Sequence, residues 1–183
     1  MKPDPQHILR CPFFFDRDGI FNIDHGYVHR KEQWQWVPGI LDLLRYLHQN
    51  GHPIFIITNQ SGISRGYFSE TDFLNLTQWM VTVLDSEGIQ IKKLYFCPHQ
   101  DKDHCLCRKP KPGLFLNAKT EFKLSLEDAW MIGDAERDII ASKEAGVGHS
   151  VLIKADALDS QADFIFPSIE ILKKNIASLL RTV

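Results

Sequence analysis

The stretch Phe13-Phe14-Phe15-Asp16-Arg17-Asp18-Gly19 decides how the rest of the chain is read. Three consecutive aromatic residues suit a strand buried on both faces, as in a parallel sheet. The run ends at two carboxylates one residue apart, followed by a glycine. Two readings of that ending are open. One is a solvated Asp-Gly turn. The other is a bound cation, or a reaction that needs a nucleophile and an acid.

Outward from this stretch, apolar runs alternate with helical patterns. Pro38-Gly39 opens a helix with Ile40, Leu43, Leu44 and Leu47 on one face, and Gly51 closes it. Pro53–Ile57 reads as a second buried strand, ending at Thr58-Asn59-Gln60-Ser61-Gly62. Ser69 caps the next helix, with Asp72 as a capping-box partner and Phe73, Leu76, Met80, Val81 and Leu84 as its stripe. Lys93–Phe96, Ala129–Ile132, Ser150–Ile153 and Phe164–Phe166 supply further strands. Gly113–Phe122, Arg137–Ala145 and a segment capped by Ser168 supply further helices. Residues 23–37 show no sustained period and read as a loop or small flap.

The alternation predicts an α/β fold, a Rossmann-like three-layer sandwich around a mostly parallel sheet. All strands of a parallel sheet end on one edge, where ligands bind. Asp16, Asp18, Thr58 and Asp134 therefore converge, unless one of those strands runs antiparallel. Three carboxylates and a hydroxyl at one crevice suit Mg²⁺, which takes one or two carboxylates and often a substrate phosphate. Asp16 and Asp134 are the natural carboxylate ligands, and Arg108 and Lys109 supply positive charge for a dianionic phosphate.

Composition bounds the answer. The chain has 183 residues, 44% hydrophobic and 24% charged, which fits one domain spanning residues 1–183. A net charge of −2 provides no basic field for nucleic acid. No apolar run approaches the roughly 20 residues of a membrane span. The polar start, Met1 to Arg10, lacks an apolar signal segment, which points to the cytoplasm and reduced thiols. Three of the four cysteines, Cys97, Cys105 and Cys107, lie within 11 residues, a clustering that favours metal over disulfide.

Asp16-Arg17-Asp18-Gly19, Thr58-Asn59-Gln60-Ser61-Gly62, Arg108-Lys109-Pro110 and Gly133-Asp134 with Asp138 resemble, in order, the four motifs of the haloacid dehalogenase-like phosphatases. Within that family the chain most resembles the heptose 1,7-bisphosphate 7-phosphatases. That likeness rests on Asp24-His25-Gly26-Tyr27-Val28-His29, on Thr58–Gly66, and on Cys97-Pro98-His99 followed by Cys105-Leu106-Cys107-Arg108-Lys109-Pro110. The resemblance implies a minimal cap and an aspartyl-phosphate mechanism. Asp16 would be nucleophile and Asp18 general acid and base, with Thr58 and Lys109 holding the phosphoryl group. Mg²⁺ would sit on Asp16, Asp134 and the backbone carbonyl of Asp18, with Asp138 nearby. Arg17, Asp24, His25, Gly26, Tyr27, Asn59, Gln60, Ser61 and Arg108 would meet a small phosphorylated sugar. A monomer is expected.

Cys97-x-His99-x5-Cys105-x-Cys107 offers three sulfurs and an imidazole, which matches a closed structural Zn²⁺ site in a loop of about residues 97–109. His104 is a substitute for His99, and a Cys97–Cys105 disulfide is the rival. Zinc would place Arg108 and Lys109 over the phosphate. Cys11 reads as a buried hydrophobe. His7, His48, His52 and His149 carry no assigned role. Trp34 and Trp36 either line a sugar pocket or pack under the flap.

Two residues depart from the resemblance. Relatives often carry Lys after the motif-four Asp, where this chain has Ala135; either a substrate or metal-site contact is missing, or Arg137 replaces it. Many relatives have Thr where this chain has Ile20, a change expected to be tolerated. The five-residue gap between His99 and Cys105 is similar to the histidinol-phosphate phosphatases, which makes histidinol phosphate the alternative substrate. A zinc-stabilised binding module without catalysis is the rival from another class. Such a module would lack the nucleophile or the motif-three lysine, and both are present here.

Overall fold

A computed structural model describes residues 10–156 and 159–182. His7 and the polar stretch before Arg10 lie outside the described residues. Phe13–Phe15 forms β1, with all three rings fully buried. It lies between β2 (Ile54–Asn59) and β4 (Trp130–Gly133), both parallel to it, so Phe13 stands between Ile54 and Trp130. The sheet continues on one side to β3 (Ile91–Cys97) and on the other to β5 (His149–Ile153) and β6 (Phe164–Phe166). Six strands in the order β3-β2-β1-β4-β5-β6, every pair parallel, bear out the α/β expectation.

Successive side chains of a strand point to opposite faces, and the aromatic run divides accordingly. Phe13 and Phe15 join Ile54, Ile56, Trp130 and Ile132 against α1 (Ile40–Gln49), α2 (Glu70–Ser86) and α5 (Ile169–Thr182). Phe14 joins Phe55, Ile57 and Met131 against α3 (Gly113–Phe122) and α4 (Glu136–Ala145). These are the three layers. Ser69 Oγ accepts from Asp72 N and donates to the Asp72 carboxylate, so the expected cap of α2 forms. Val81, expected in the buried stripe of α2, is only half-buried at its margin.

Phe115 of α3 is fully buried and meets the Phe14 ring edge-on, with centroids 5.2 Å apart. Its truncation leaves a cavity beneath β1. Phe115→Ala is expected to lose about 3–5 kcal/mol of unfolding free energy in urea titration. A loss below about 1 kcal/mol would contradict this account of the core.

The flap over the strand ends is tied to the sheet by isolated bridges, Asp18 to Asn22 and Asn22 to Trp36, and contains one 3₁₀ turn at Lys31–Gln33. Trp34 is buried against Trp36 and Trp79, so these indoles pack under the flap. Cys11 is half-buried, its Sγ 3.2 Å from His52 Nδ1, at the sheet edge opposite the strand ends.

Candidate active site

The chain order changes direction at β1: β2 lies on one side of it and β4 on the other. At such a switch point the connections diverge and leave a crevice beyond the carboxyl ends. Asp16 is the first residue past β1, Thr58 lies within the end of β2, and Asp134 follows β4 directly. Asp16 is 4% exposed and Thr58 and Lys109 1% each, so the crevice has a buried floor.

Lys109 ties the floor together. Its Nζ lies 3.0 Å from Asp16 Oδ1 and 2.7 Å from Asp138 Oδ1, and donates to the Ile57 carbonyl at 2.7 Å. The Asn59 side chain holds the backbone of Lys109 in turn, donating to its carbonyl and accepting from its N–H, each at 3.0 Å. Burial alone would favour neutral Lys109, but the carboxylates of Asp138 and Asp16 outweigh it and hold the ammonium above its ordinary pKa.

Carboxylate oxygens of Asp16, Asp134 and Asp138 lie within 4.8 Å of one another. Burial pushes Asp16 up to about 7, the Lys109 charge opposing it, and pushes Asp134 up to about 6. Asp138 is engaged, by Lys109 and by the Ala135 N–H at 3.1 Å. Asp134 Oδ1 is buried with no hydrogen-bond partner among the described residues. Crowded hard oxygens with one of them unpartnered fit a divalent cation, with Asp16 and Asp134 as its carboxylates.

Glycines make the crowding fit. Gly19 has φ +82°, and a Cβ there would run into the Asp134 carboxylate. A Cβ on Gly133 would come within 2.5 Å of Asp138 Cβ.

Asp18 has a different setting. Arg17 Nη2 reaches both of its carboxylate oxygens, at 2.7 and 2.9 Å. Asn22 Nδ2 donates at 3.0 Å and Gln60 Nε2 at 2.8 Å. Gln60 also donates to the Thr58 hydroxyl at 2.9 Å, which links the two strand ends. The Asp18 carboxylate is thus oriented from three sides at the crevice wall.

Asp16, Asp18, Asp24, Gly26, Tyr27, Asn59, Gln60, Ser61, Gly62 and Arg137 line one cavity of about 270 Å³. Most of the expected substrate wall is therefore in one place. Three expected contacts are placed otherwise. Arg17 does not face the cavity: it is 1% exposed, bonded to Asp18 and to the Val28 carbonyl, and set 5.5 Å over the Phe73 ring. Its Nε and Nη2 find acceptors inside, while its Nη1 is buried with no hydrogen-bond partner among the described residues. His25 stands outside the cavity wall, exposed, its Nε2 3.2 Å from Gln35 Oε1. Arg108 lines a neighbouring groove, where its Nε donates to Asp101 Oδ1 at 2.6 Å and Nη1 to the His99 carbonyl at 3.3 Å.

Asn22 escaped the sequence reading. It is fully buried and orients Asp18. Its one signal is a lone amide inside the apolar run Ile20-Phe21-Asn22-Ile23. Ala135 takes the N-cap position of α4, where its methyl offers no contact to a ligand charge.

The cysteine loop rises from the same edge. Cys97, His99, Cys105 and Cys107 bring their ligand atoms within 4.8 Å of one another. Sγ of Cys97 lies 3.6 Å from Sγ of Cys105 and 3.1 Å from Sγ of Cys107, and His99 Nδ1 lies 3.3 Å from Cys107 Sγ. No disulfide joins the described cysteines. A tetrahedron with metal–sulfur bonds of about 2.3 Å has edges of about 3.8 Å. The cluster is slightly tighter than that, and its four donors fit one soft divalent ion. His104 is not among them. Its carbonyl accepts from Lys111 Nζ at 3.3 Å.

The buried aspartate–lysine floor, the flanking carboxylates and the parallel sheet define a hydrolase of the haloacid dehalogenase type, and the chain belongs to the haloacid dehalogenase-like hydrolase family, whose match covers residues 14–146. Among its relatives is the D-glycero-beta-D-manno-heptose-1,7-bisphosphate 7-phosphatase of Pasteurella multocida, 41% identical over 182 residues, which span 93% of this chain and 99% of that one. The protein of the same name from Helicobacter pylori (strain 26695) is 43% identical over 153 residues, 83% of this chain and 88% of the relative. The crystal structure of the D,D-heptose 1,7-bisphosphate phosphatase from B. bronchiseptica, complexed with magnesium and phosphate, superposes with a TM-score of 0.84 at 25% identity, covering 92% of this chain and 99% of that one. Among the described residues no helix is long and apolar enough to cross a membrane.

Proposed function

We propose that this chain is a phosphomonoester hydrolase that removes the 7-phosphate from D-glycero-D-manno-heptose 1,7-bisphosphate. The observation that carries the chemistry is the buried Asp16 carboxylate paired with Lys109, beside Asp134 with its unpartnered oxygen and with Asp18 at the same cavity. The sugar is supported by curated relatives of that name at 41–43% identity over most of the chain.

In the first step an Asp16 oxygen attacks phosphorus, and the bond from phosphorus to the sugar oxygen breaks. Asp18 protonates the departing oxygen. Asp18 then takes a proton from water, which attacks the aspartyl-phosphate, releasing phosphate and restoring Asp16. Arg17, Asn22 and Gln60 hold Asp18 where it serves both steps. Thr58 and Lys109 hold the phosphoryl oxygens, and Asn59 keeps Lys109 in place. Mg²⁺, bound by Asp16, Asp134 and the Asp18 carbonyl, would neutralise charge on those oxygens. Asp24, Gly26, Tyr27 and Ser61 form the wall against the sugar.

Zn²⁺ on Cys97, His99, Cys105 and Cys107 would be structural, since four protein ligands leave no open position. Cysteines kept reduced to hold a metal suit the reducing cytoplasm.

The test is a comparison of kcat/KM for the two anomers of heptose 1,7-bisphosphate and for histidinol phosphate. A heptose bisphosphate is expected to be turned over at least about tenfold more efficiently, with phosphate release ended by EDTA and restored by Mg²⁺. A preference for histidinol phosphate would overturn the substrate. Turnover unaffected by EDTA would overturn the metal assignment.

A further inference from the structure

Three of the cations at or beside the crevice are already engaged. Lys109 is held by Asp16 and Asp138, Arg17 by Asp18, and Arg108 by Asp101. Arg137 is different. It is the second residue of α4, exposed, and part of the cavity wall. Among the described residues its guanidinium makes no ion pair or hydrogen bond with a protein group. Its chain neighbour Glu136 does not neutralise it, because that carboxylate accepts from Ser160 Oγ at 2.8 Å and from the Gln161 N–H at 2.9 Å.

Depth sorts what each cation can meet. The floor formed by Asp16, Thr58 and Lys109 is buried, whereas Arg137 and Tyr27, which is 45% exposed, stand at the mouth. A substrate whose reacting phosphoryl group lies on Asp16 therefore presents its far end near Arg137. The remaining charges of the wall, Asp18 and Asp24, are anionic and would repel a second phosphate there. The Arg137 charge is felt by Asp134 at the floor and by Asp101 of the cysteine loop.

We infer that Arg137 is a specificity-determining residue that binds the non-reacting phosphate of a bisphosphate substrate at the cavity mouth. This rests on the bisphosphate reading proposed above. The planar guanidinium matches two phosphate oxygens at once, and its freedom from protein partners means that no existing pair has to break. Arg108 is a weaker contender for the same phosphate because it must first leave Asp101.

The test compares heptose 1,7-bisphosphate with heptose 7-phosphate, which lacks only the distal phosphate. Initial rates are measured for the wild type, Arg137→Gln and Arg137→Lys. The ratio of kcat/KM for the bisphosphate to that for the monophosphate is expected to fall about tenfold or more in Arg137→Gln, chiefly through KM, because one charge-assisted contact is lost. Arg137→Lys should recover part of the ratio. An unchanged ratio, including equal losses on both substrates, overturns the inference. A wild type that does not favour the heptose bisphosphate counts against the substrate proposed above. The same ratio taken with fructose 1,6-bisphosphate and fructose 6-phosphate then decides the role of Arg137.

Discussion

Asp16→Asn is expected to lower kcat by about 10³-fold or more, while the protein still folds. The amide keeps the shape of the carboxylate and its contact with the Arg17 N–H, seen at 2.7 Å in the native site. What it loses, in the proposed mechanism, is the nucleophilic oxygen, and removing an attacking group of this kind costs several orders of magnitude. Stability should not suffer much. Asp16 is one of three crowded carboxylates, and Lys109 keeps its pair with Asp138 at 2.7 Å. Thermal unfolding within a few degrees of wild type, together with absent phosphate release, is the expected pair of results. Turnover above about 1% of wild type would exclude Asp16 as the nucleophile.

Cys107→Ser is expected to lose the zinc proposed for the cysteine loop, destabilise that loop and weaken catalysis together. Cys107 is followed directly by Arg108 and Lys109 in the chain. Its sulfur lies within 3.3 Å of both Cys97 Sγ and His99 Nδ1, so it joins the end of β3 to the start of the lysine segment. A metal that closes such a loop contributes its binding energy to folding. Freshly purified wild type should hold about one equivalent of zinc, and the variant about a tenth of that or less. kcat/KM should fall by about 10–100-fold, the range seen when groups that support a site are removed. The loss is bounded because Asn59 and the Ile57 carbonyl also hold Lys109. A wild-type preparation free of zinc, or a variant with unchanged melting temperature, would refute a structural metal here.

The fold and the floor of the site were legible in the sequence for physical reasons. A run such as Phe13-Phe14-Phe15 is stable only between two apolar layers, and a parallel sheet covered by helices provides both. Once the strands run parallel, their ends share an edge, so Asp16, Thr58 and Asp134 had to meet. The three cysteines of the loop were legible as candidate metal ligands because residue type and local spacing mark them, whereas His99 rather than His104 is chosen by which imidazole reaches the sulfurs in space. Side-chain direction was not legible. Arg17 sits between two carboxylates in sequence, yet it turns inward to Asp18, Val28 and Phe73. His25 lies within the flap motif, yet it pairs with Gln35 and leaves the wall to its neighbours. Such choices depend on which acceptor lies nearest in space, and that acceptor is as much as 11 residues away for the Arg17–Val28 bond.

By itself, then, the sequence determined the parallel sheet, the edge that carries the chemistry and the residue types gathered there. Those follow from hydrophobic period and strand direction, which are properties of the chain read locally. Only the tertiary structure decided which charges are already paired and which remain available. Lys109 is committed to Asp16 and Asp138, Arg108 to Asp101, and Arg17 to Asp18, while Arg137 stands at the mouth without a partner among the described residues. Charge pairing is settled by distances of about 3 Å between groups up to 93 residues apart, as for Asp16 and Lys109. No spacing rule along the chain encodes contacts of that kind.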